Sequence, residues 1–245
     1  YQGVINIIRF NWHFYAIGIA LFTLAIIISE NIEVPKRVLV YIPLSLAVIS
    51  VIISLVISWC IYDLSGLYDL DWLEKSGSEQ LLVNIHAGFD ETSVYLMDKF
   101  PGIELRVFDF YDPVKHTEIS IKRARIAYPP SIPTTTIDTN HLPIDSGKAD
   151  KIFLLLSAHE IRNDLERIHF FREIHRTLKP AGKIYILEHL RDLPNFLGFS
   201  IGFLHFHSKD TWRKTFTKAG FTVECEKKHT PFLSLFILQK NGNTF

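Results

Sequence analysis

Two long apolar stretches open the chain, and a shorter alternation of apolar and polar segments follows. Trp12 to Ser29 and Leu39 to Tyr62 contain no Lys, Arg, Asp or Glu. An uncharged run of about 18 or more apolar residues is long enough to cross the ~30 Å hydrocarbon layer as a helix. The short polar stretch Glu30 to Val38 joins them. The pattern predicts a transmembrane helical hairpin over residues 1–65, with spans of about 12–29 and 39–62 and both ends on one side. Trp12, Tyr15, Trp59 and Tyr62 fall near the run ends, where interfacial aromatics collect. A signal peptide has one short apolar core, which two tandem runs do not match. A buried helix pair in a soluble core is the alternative. Residues 66–80, with Tyr68, Trp72 and several acids, read as an interfacial linker, a short helix near the membrane surface.

From Leu81 the period changes. Residues 81–85, 104–110, 134–137, 151–157 and 183–187 are short runs rich in apolar and β-forming residues. Between them, Glu91 to Phe100, Thr117 to Ala127 and Asp164 to Leu178 carry helical spacing, and Ser208 to Ala219 follows with Ser208 as N-cap and Gly220 as stop. Phe221 to Glu226 and Phe232 to Gln239 close the chain as strands with no helix between them. Alternating strands and helices specify an α/β domain over residues 81–245, with a doubly wound, mostly parallel sheet and an antiparallel C-terminal strand pair.

Composition narrows the function classes. The 26 basic and 26 acidic side chains balance, which argues against a nucleic-acid partner. Cys60 and Cys225 are too few for a metal cluster and badly placed for a disulfide. Lys36 and Arg37 in the hairpin loop, against Arg9 before it, would by charge alone put the loop inside.

In open α/β sheets the ligand lies beyond the carboxyl ends of the strands. That directs attention to His86 to Asp90, Asp109 to Asp112, Asp138 to His141, Ser157 to Arg162 and Glu188 to Asp192. Asp138 is followed by Leu142-Pro143 and Ala149-Asp150. Glu173-Ile174-His175-Arg176-Thr177-Leu178-Lys179-Pro180-Ala181-Gly182 follows, and then Ala219-Gly220-Phe221 before the closing strands. From Leu81 onward this order resembles the Rossmann-like, class I S-adenosylmethionine-dependent methyltransferases. The first glycine loop departs from that family's pattern, because only Gly88 remains of its glycines.

The resemblance implies that S-adenosyl-L-methionine meets Asn84, His86, Gly88, Asp90, Glu91, Asp109, Asp138 and Ser157. Asp109 would grip the ribose diol, and Asp138 would meet the adenine. Asp90 or Glu91 would face the cationic end, although Asp90, Glu91 and Thr92 could equally cap the next helix. His159 is the first choice as proton acceptor and His189 the second, with Glu160 or Glu188 orienting an imidazole or binding the donor. His159, Glu160, Glu188, His189, His205 and His207 match no standard zinc spacing, so no metal is expected. Leu193 to His207 is aromatic and uncharged apart from its histidines, either a membrane-facing lid or a packed insertion. The expected protein is a membrane-anchored methyltransferase with a hydrophobic small-molecule acceptor such as a quinone, polyene, aryl-lipid or prenylated compound. It meets membrane lipids, and its catalytic domain is cytoplasmic because the methyl donor is there. The alternatives are a non-catalytic binding or scaffold protein on the same fold, motivated by the degenerate loop, and a nicotinamide-dependent reductase, which should carry Gly-x-Gly-x-x-Gly.

Overall fold

The computed structural model describes residues 2–115 and 119–242. Helix α1 runs Gln2–Ser29 and breaks at Asn11, whose backbone leaves the helical region (φ −111°, ψ 15°). Residues 12–29 then span roughly 27 Å at about 1.5 Å per residue. Helix α2, Val38–Trp59, has 22 residues, or about 33 Å. By length and composition both are able to cross a membrane, and almost none of their surface is buried within the protein. A 3-10 turn at Val34–Lys36 links them, and Arg37 closes it by donating to the carbonyls of Glu30 and Ile32.

The hairpin is tied shut at its open end. A π turn, Cys60–Leu64, follows α2, and its Asp63 carboxylate accepts the backbone N–H groups of Gly3 and Val4 at 3.0 Å each. A Cβ at Gly3 would lie 2.4 Å from the Tyr62 Cβ, so only glycine lets the two ends cross there.

Seven strands form one sheet: β1 Leu81–His86, β2 Glu104–Asp109, β3 Thr134–Thr136, β4 Ala149–Leu155, β5 Leu178–His189, β6 Phe221–Thr230 and β7 Leu233–Lys240. Their spatial order is β3-β2-β1-β4-β5-β7-β6. All neighbours from β3 to β5 are parallel, and β7 is antiparallel to both β5 and β6. Helices α3 Ser93–Lys99, α4 Ile119–Ala127, α5 Asp164–Thr177, α6 Leu193–Phe199 and α7 Lys209–Lys218 complete the domain. The Asn163 side chain caps α5 by accepting from the N–H groups of Leu165 and Glu166, and Ser208 caps α7.

Strand alternation sends side chains to two cores. On one face Val83, Ile85, Ile152, Leu154, Ile184 and Ile186 meet Phe170, Phe171, Trp212 and Phe216 from α5 and α7. On the other, Leu82, Phe153, Tyr185 and Leu187 meet Leu96 and Phe100, together with Ile61, Leu67, Leu70 and Leu73. This second core alters the expected role of residues 66–80. They form a 3-10 turn at Leu67–Asp69 and then an irregular strap, not a helix. Three leucines bury themselves against the sheet because that face has no helix of its own there.

Most elements match the expected ones, with β5 and β6 longer than the pattern indicates and β7 shifted by one residue. Thr117 and Glu118, expected to begin a helix, lie outside the described residues; α4 is described from Ile119. Leu193 to His207 folds as α6 and a 3-10 segment, Ser200–His205.

Lys151 and Glu79 anchor the strap at the far end of the sheet, 2.6 Å apart and nearly inaccessible, with Lys151 also donating to the Glu74 carbonyl. Lys151→Met strands a buried carboxylate and is expected to cost about 3–5 kcal/mol. Chemical denaturation of the full chain in detergent reads this, and Glu79→Gln in the same chain should recover part of the loss.

Candidate active site

The winding of the sheet reverses between β1 and β4, so the chain leaves a crevice beyond their carboxyl ends. A cavity of about 220 Å³ fills that crevice. Asn84, His86 and Ala87 reach it from β1, Leu155, Leu156 and Ser157 from β4, and Leu187 from β5. The strap closes one wall with Tyr68, Leu70 and Trp72, and Phe89, Glu91 and Ile121 close another. Leu70 and Leu156 hold left-handed backbone (φ 53° and 55°). Such positions cost on the order of 1–3 kcal/mol each in a non-glycine residue and collect at functional sites. Here both line the cavity.

At the β4–β5 end the cavity meets a chain of ionisable groups. Glu188, fully buried on β5, accepts the backbone N–H of His159 at 3.2 Å and pairs with its Nδ1 at 2.7 Å. The other ring nitrogen, Nε2, is 3.2 Å from Glu160 Oε1, and His205 Nε2 is 3.4 Å from the same oxygen. Burial alone would depress the His159 pKa, but the charge of Glu188 and hydrogen bonds from both carboxylates outweigh it and hold the value up to about 10. Burial likewise opposes the charge on Glu160, and the two imidazoles overcome it, keeping the carboxyl well below its usual range. Held between two carboxylates, the His159 ring is favoured in its protonated form, with Nδ1 facing Glu188 and Nε2 facing Glu160.

His189, the second expected acceptor, does not reach the cavity. Its Nε2 is 2.9 Å from the Tyr62 hydroxyl and its Nδ1 3.0 Å from Asn195 Oδ1, and Phe206 stacks on the ring at 4.7 Å. Burial pushes its pKa down to about 4, so it is a neutral joint between the hairpin exit and the domain. Burial, aided by Arg167, takes His207 down to about 3.

On the donor side the expected residues separate. Asn84, His86, Glu91 and Ser157 line the cavity. Asp90 caps α3 instead, accepting from the N–H groups of Thr92 and Ser93 and from Asn84 Nδ2. His86 is buried, its Nδ1 accepts the Gly88 N–H at 3.1 Å, and its Nε2 has no partner. Gly88 has φ +93°, and a Cβ there would meet Arg125 and Tyr111 at 3.0 Å and Ile121 at 3.1 Å. The loop is thus packed by the chain's own side chains where a bound donor was expected.

Asp109 ends β2 beside His86, 3.8 Å from its Nδ1, and lines neither this cavity nor a second one. Its carboxylate is buried, accepts the Tyr111 N–H at 2.8 Å and pairs with Arg125 from α4. Beyond it, a cavity of about 220 Å³ is lined by Tyr111, Asp112, Thr136, Asp138, Thr139 and Glu166. Asp138 is therefore placed in a separate hollow from Glu91 and His159. Sequence reasoning missed Arg125, Leu156 and the wall made by Tyr68 and Trp72. The two aromatics stood out in residues 66–80 but could not be assigned a partner.

This strand order, with its crevice at the switch point, is that of the class I, Rossmann-like methyltransferase fold. Residues 108–186 match the family described as a methyltransferase domain. Among solved structures, the PH0226 protein from Pyrococcus horikoshii OT3 aligns at 16% identity over 67% of this chain and 84% of that one, with a TM-score of 0.49. LaPhzM aligns at 15% identity over 84% of this chain and 59% of that one, with a TM-score of 0.50. The mitomycin 7-O-methyltransferase MmcR gives 17%, 85%, 58% and 0.50 in the same terms. At these identities the likeness is one of fold. No curated protein sequence matches the chain significantly.

Glu91 provides a pH-dependent signature. Burial raises its carboxyl, the Tyr68 hydrogen bond lowers it and Asp90 raises it, leaving about 7. A carboxyl with a raised folded pKa contributes stability below its unfolded value of about 4.3. That contribution disappears as pH climbs through the folded value. The protein is expected to lose thermal stability between about pH 4 and 7 by this route. Glu91→Gln should flatten that slope, which melting curves across the range will show.

Proposed function

We propose that the chain is a membrane-anchored methyltransferase that uses S-adenosyl-L-methionine and acts on a hydrophobic small molecule. The observation that carries this is the cavity at the switch point, which joins acidic groups to apolar walls supplied partly by the membrane-proximal strap. When bound, the donor supplies an electrophilic methyl group on a sulfonium. Glu91 and Glu160 present acids to that cationic end, and the unpartnered His86 Nε2 offers a buried polar atom beside it. Asp109, beside His86 at the end of β2, could take a diol once Arg125 yields or shares it, and Asp138 and Thr139 would line the purine's place. Methyl transfer requires alignment more than acid–base power, so rigid walls matter most.

The acceptor's character follows from the segment after β5. Leu193, Leu197, Ile201 and Leu204 are exposed there, while His205 at its end lines the cavity. Gly198 of α6 packs so closely on Ile57 of α2 that a Cβ would lie 3.1 Å from it. An apolar surface thus runs from the hairpin to the cavity mouth, suited to a molecule dissolved in lipid. Confining enzyme and acceptor to one surface raises their effective concentration. The domain faces the cytoplasm, where the donor is made.

One observation favours a second reading, a binding protein on this fold: Arg125 already occupies the Asp109 carboxylate. Titration calorimetry with S-adenosylmethionine and its demethylated product separates the two. The enzyme reading expects binding. Asp109→Asn removes charge-assisted hydrogen bonds of about 1.5–3 kcal/mol, so affinity should fall about 10- to 100-fold. Arg125→Ala should tighten binding. Unchanged affinity in the Asp109 variant removes the diol assignment, and no heat at millimolar ligand leaves the binding-protein reading.

A further inference from the structure

The ionisable chain at the β4–β5 rim has a geometry that hydrogen bonding alone does not require. One ligand atom each from His159, Glu160 and His205 lies within 4.8 Å of the others. The two separations from Glu160 are 3.2 and 3.4 Å. In a tetrahedral site with metal–ligand bonds of about 2.0–2.1 Å, neighbouring ligand atoms are about 3.3 Å apart. The histidines come from different elements, His159 from the turn after β4 and His205 from the end of the segment after α6. Local sequence spacing could therefore not reveal the set.

The surroundings match what such a site needs. A metal-bound imidazole is normally fixed by a carboxylate on its other nitrogen. Glu188 does this for His159, holding both Nδ1 and the backbone N–H, so only Nε2 remains to face Glu160. His159, Glu160 and His205 all line the cavity. His86 brings a second sign of a missing ligand to the same cavity, a buried Nε2 with no partner.

We infer that His159, Glu160 and His205 form a binding site for a divalent first-row metal ion of the Zn²⁺ type, open on its cavity side. Two imidazoles and a carboxylate suit that class of ion. Three protein ligands leave a coordination position for a small molecule. An acceptor hydroxyl bound there becomes more acidic. This would select oxygen acceptors, phenols or enols, over amines or carbon. That last step rests on the proposed methyltransferase activity; the ion site itself does not. Arg162 competes for the same ring, with Nη2 2.5 Å from His205 Nδ1 and 2.8 Å from Nε2, so an entering ion must displace it.

The test uses the full chain in detergent, stripped with chelator and titrated with Zn²⁺ and with Co²⁺. One tight site is expected, with the visible absorption of Co²⁺ in a nitrogen and oxygen environment of low coordination number. Glu160→Gln and His205→Ala should each weaken Zn²⁺ binding at least about 10-fold, and Glu188→Gln about 10- to 100-fold. Arg162→Gln should tighten it, and His169→Ala, on the exposed side of α5, should leave it unchanged. Circular dichroism confirms that each variant is folded. Binding that survives Glu160→Gln and His205→Ala, or no binding above the level of the doubly substituted chain, overturns the site. Donor binding without ion binding overturns it while sparing the methyltransferase reading. Ion binding without donor binding supports the site and overturns that reading.

Discussion

A parallel sheet that winds outward in both directions must reverse somewhere, and at the reversal no crossover covers the strand ends. Between β1 and β4 this gap organises the protein. Backbone from three strands ends there, so side chains distant in sequence meet without a long loop to carry them. His86 and Asp109 face one another across β1 and β2, and His159 and Glu188 across β4 and β5. The strained left-handed residues Leu70 and Leu156 lie on its rim because the walls must turn sharply inward to narrow the gap.

The hairpin is bound to the domain beside this gap through several separate contacts. Arg123 of α4 donates to the Phe10 carbonyl and meets His13 Nδ1 at 2.7 Å, while Tyr128 donates to Asn6. Phe10 is buried edge-on against Phe89 and Tyr128, which places the first turns of α1 beside the cavity wall. Tyr62, leaving α2, holds His189. The break at Asn11 lets one helix serve both tasks, with the apolar part continuing outward and the first turns lying on the domain.

The fold was legible because apolar periodicity reports burial directly. The hairpin, the strand order's parallel character and the antiparallel closing pair all follow from it. The candidate site was only half legible. Asn84, His86, Glu91, Ser157, His159 and Glu160 were placed by the rule that ligands sit at strand ends, and they do share a cavity. The remainder depends on packing across long separations, which periodicity does not encode. Arg125 reaches Asp109 only because α4 lies flat on the Gly88 loop. Asp90 turns to its helix because the unsatisfied N–H groups of a helix start are the nearest donors. His189 is held off the cavity by Phe206 and the hairpin, two elements whose meeting no local pattern foretells.

The strap of residues 66–80 makes hairpin and cavity wall a single piece of chain. Trimming the protein after the second apolar helix and this strap, a common route to a water-soluble fragment, would take Tyr68, Leu70 and Trp72 off the crevice. It would also bare Leu82, Phe153, Tyr185 and Leu187 on the sheet. The excised domain would be sticky and open-sided, so the apolar hairpin cannot be discarded as mere tether.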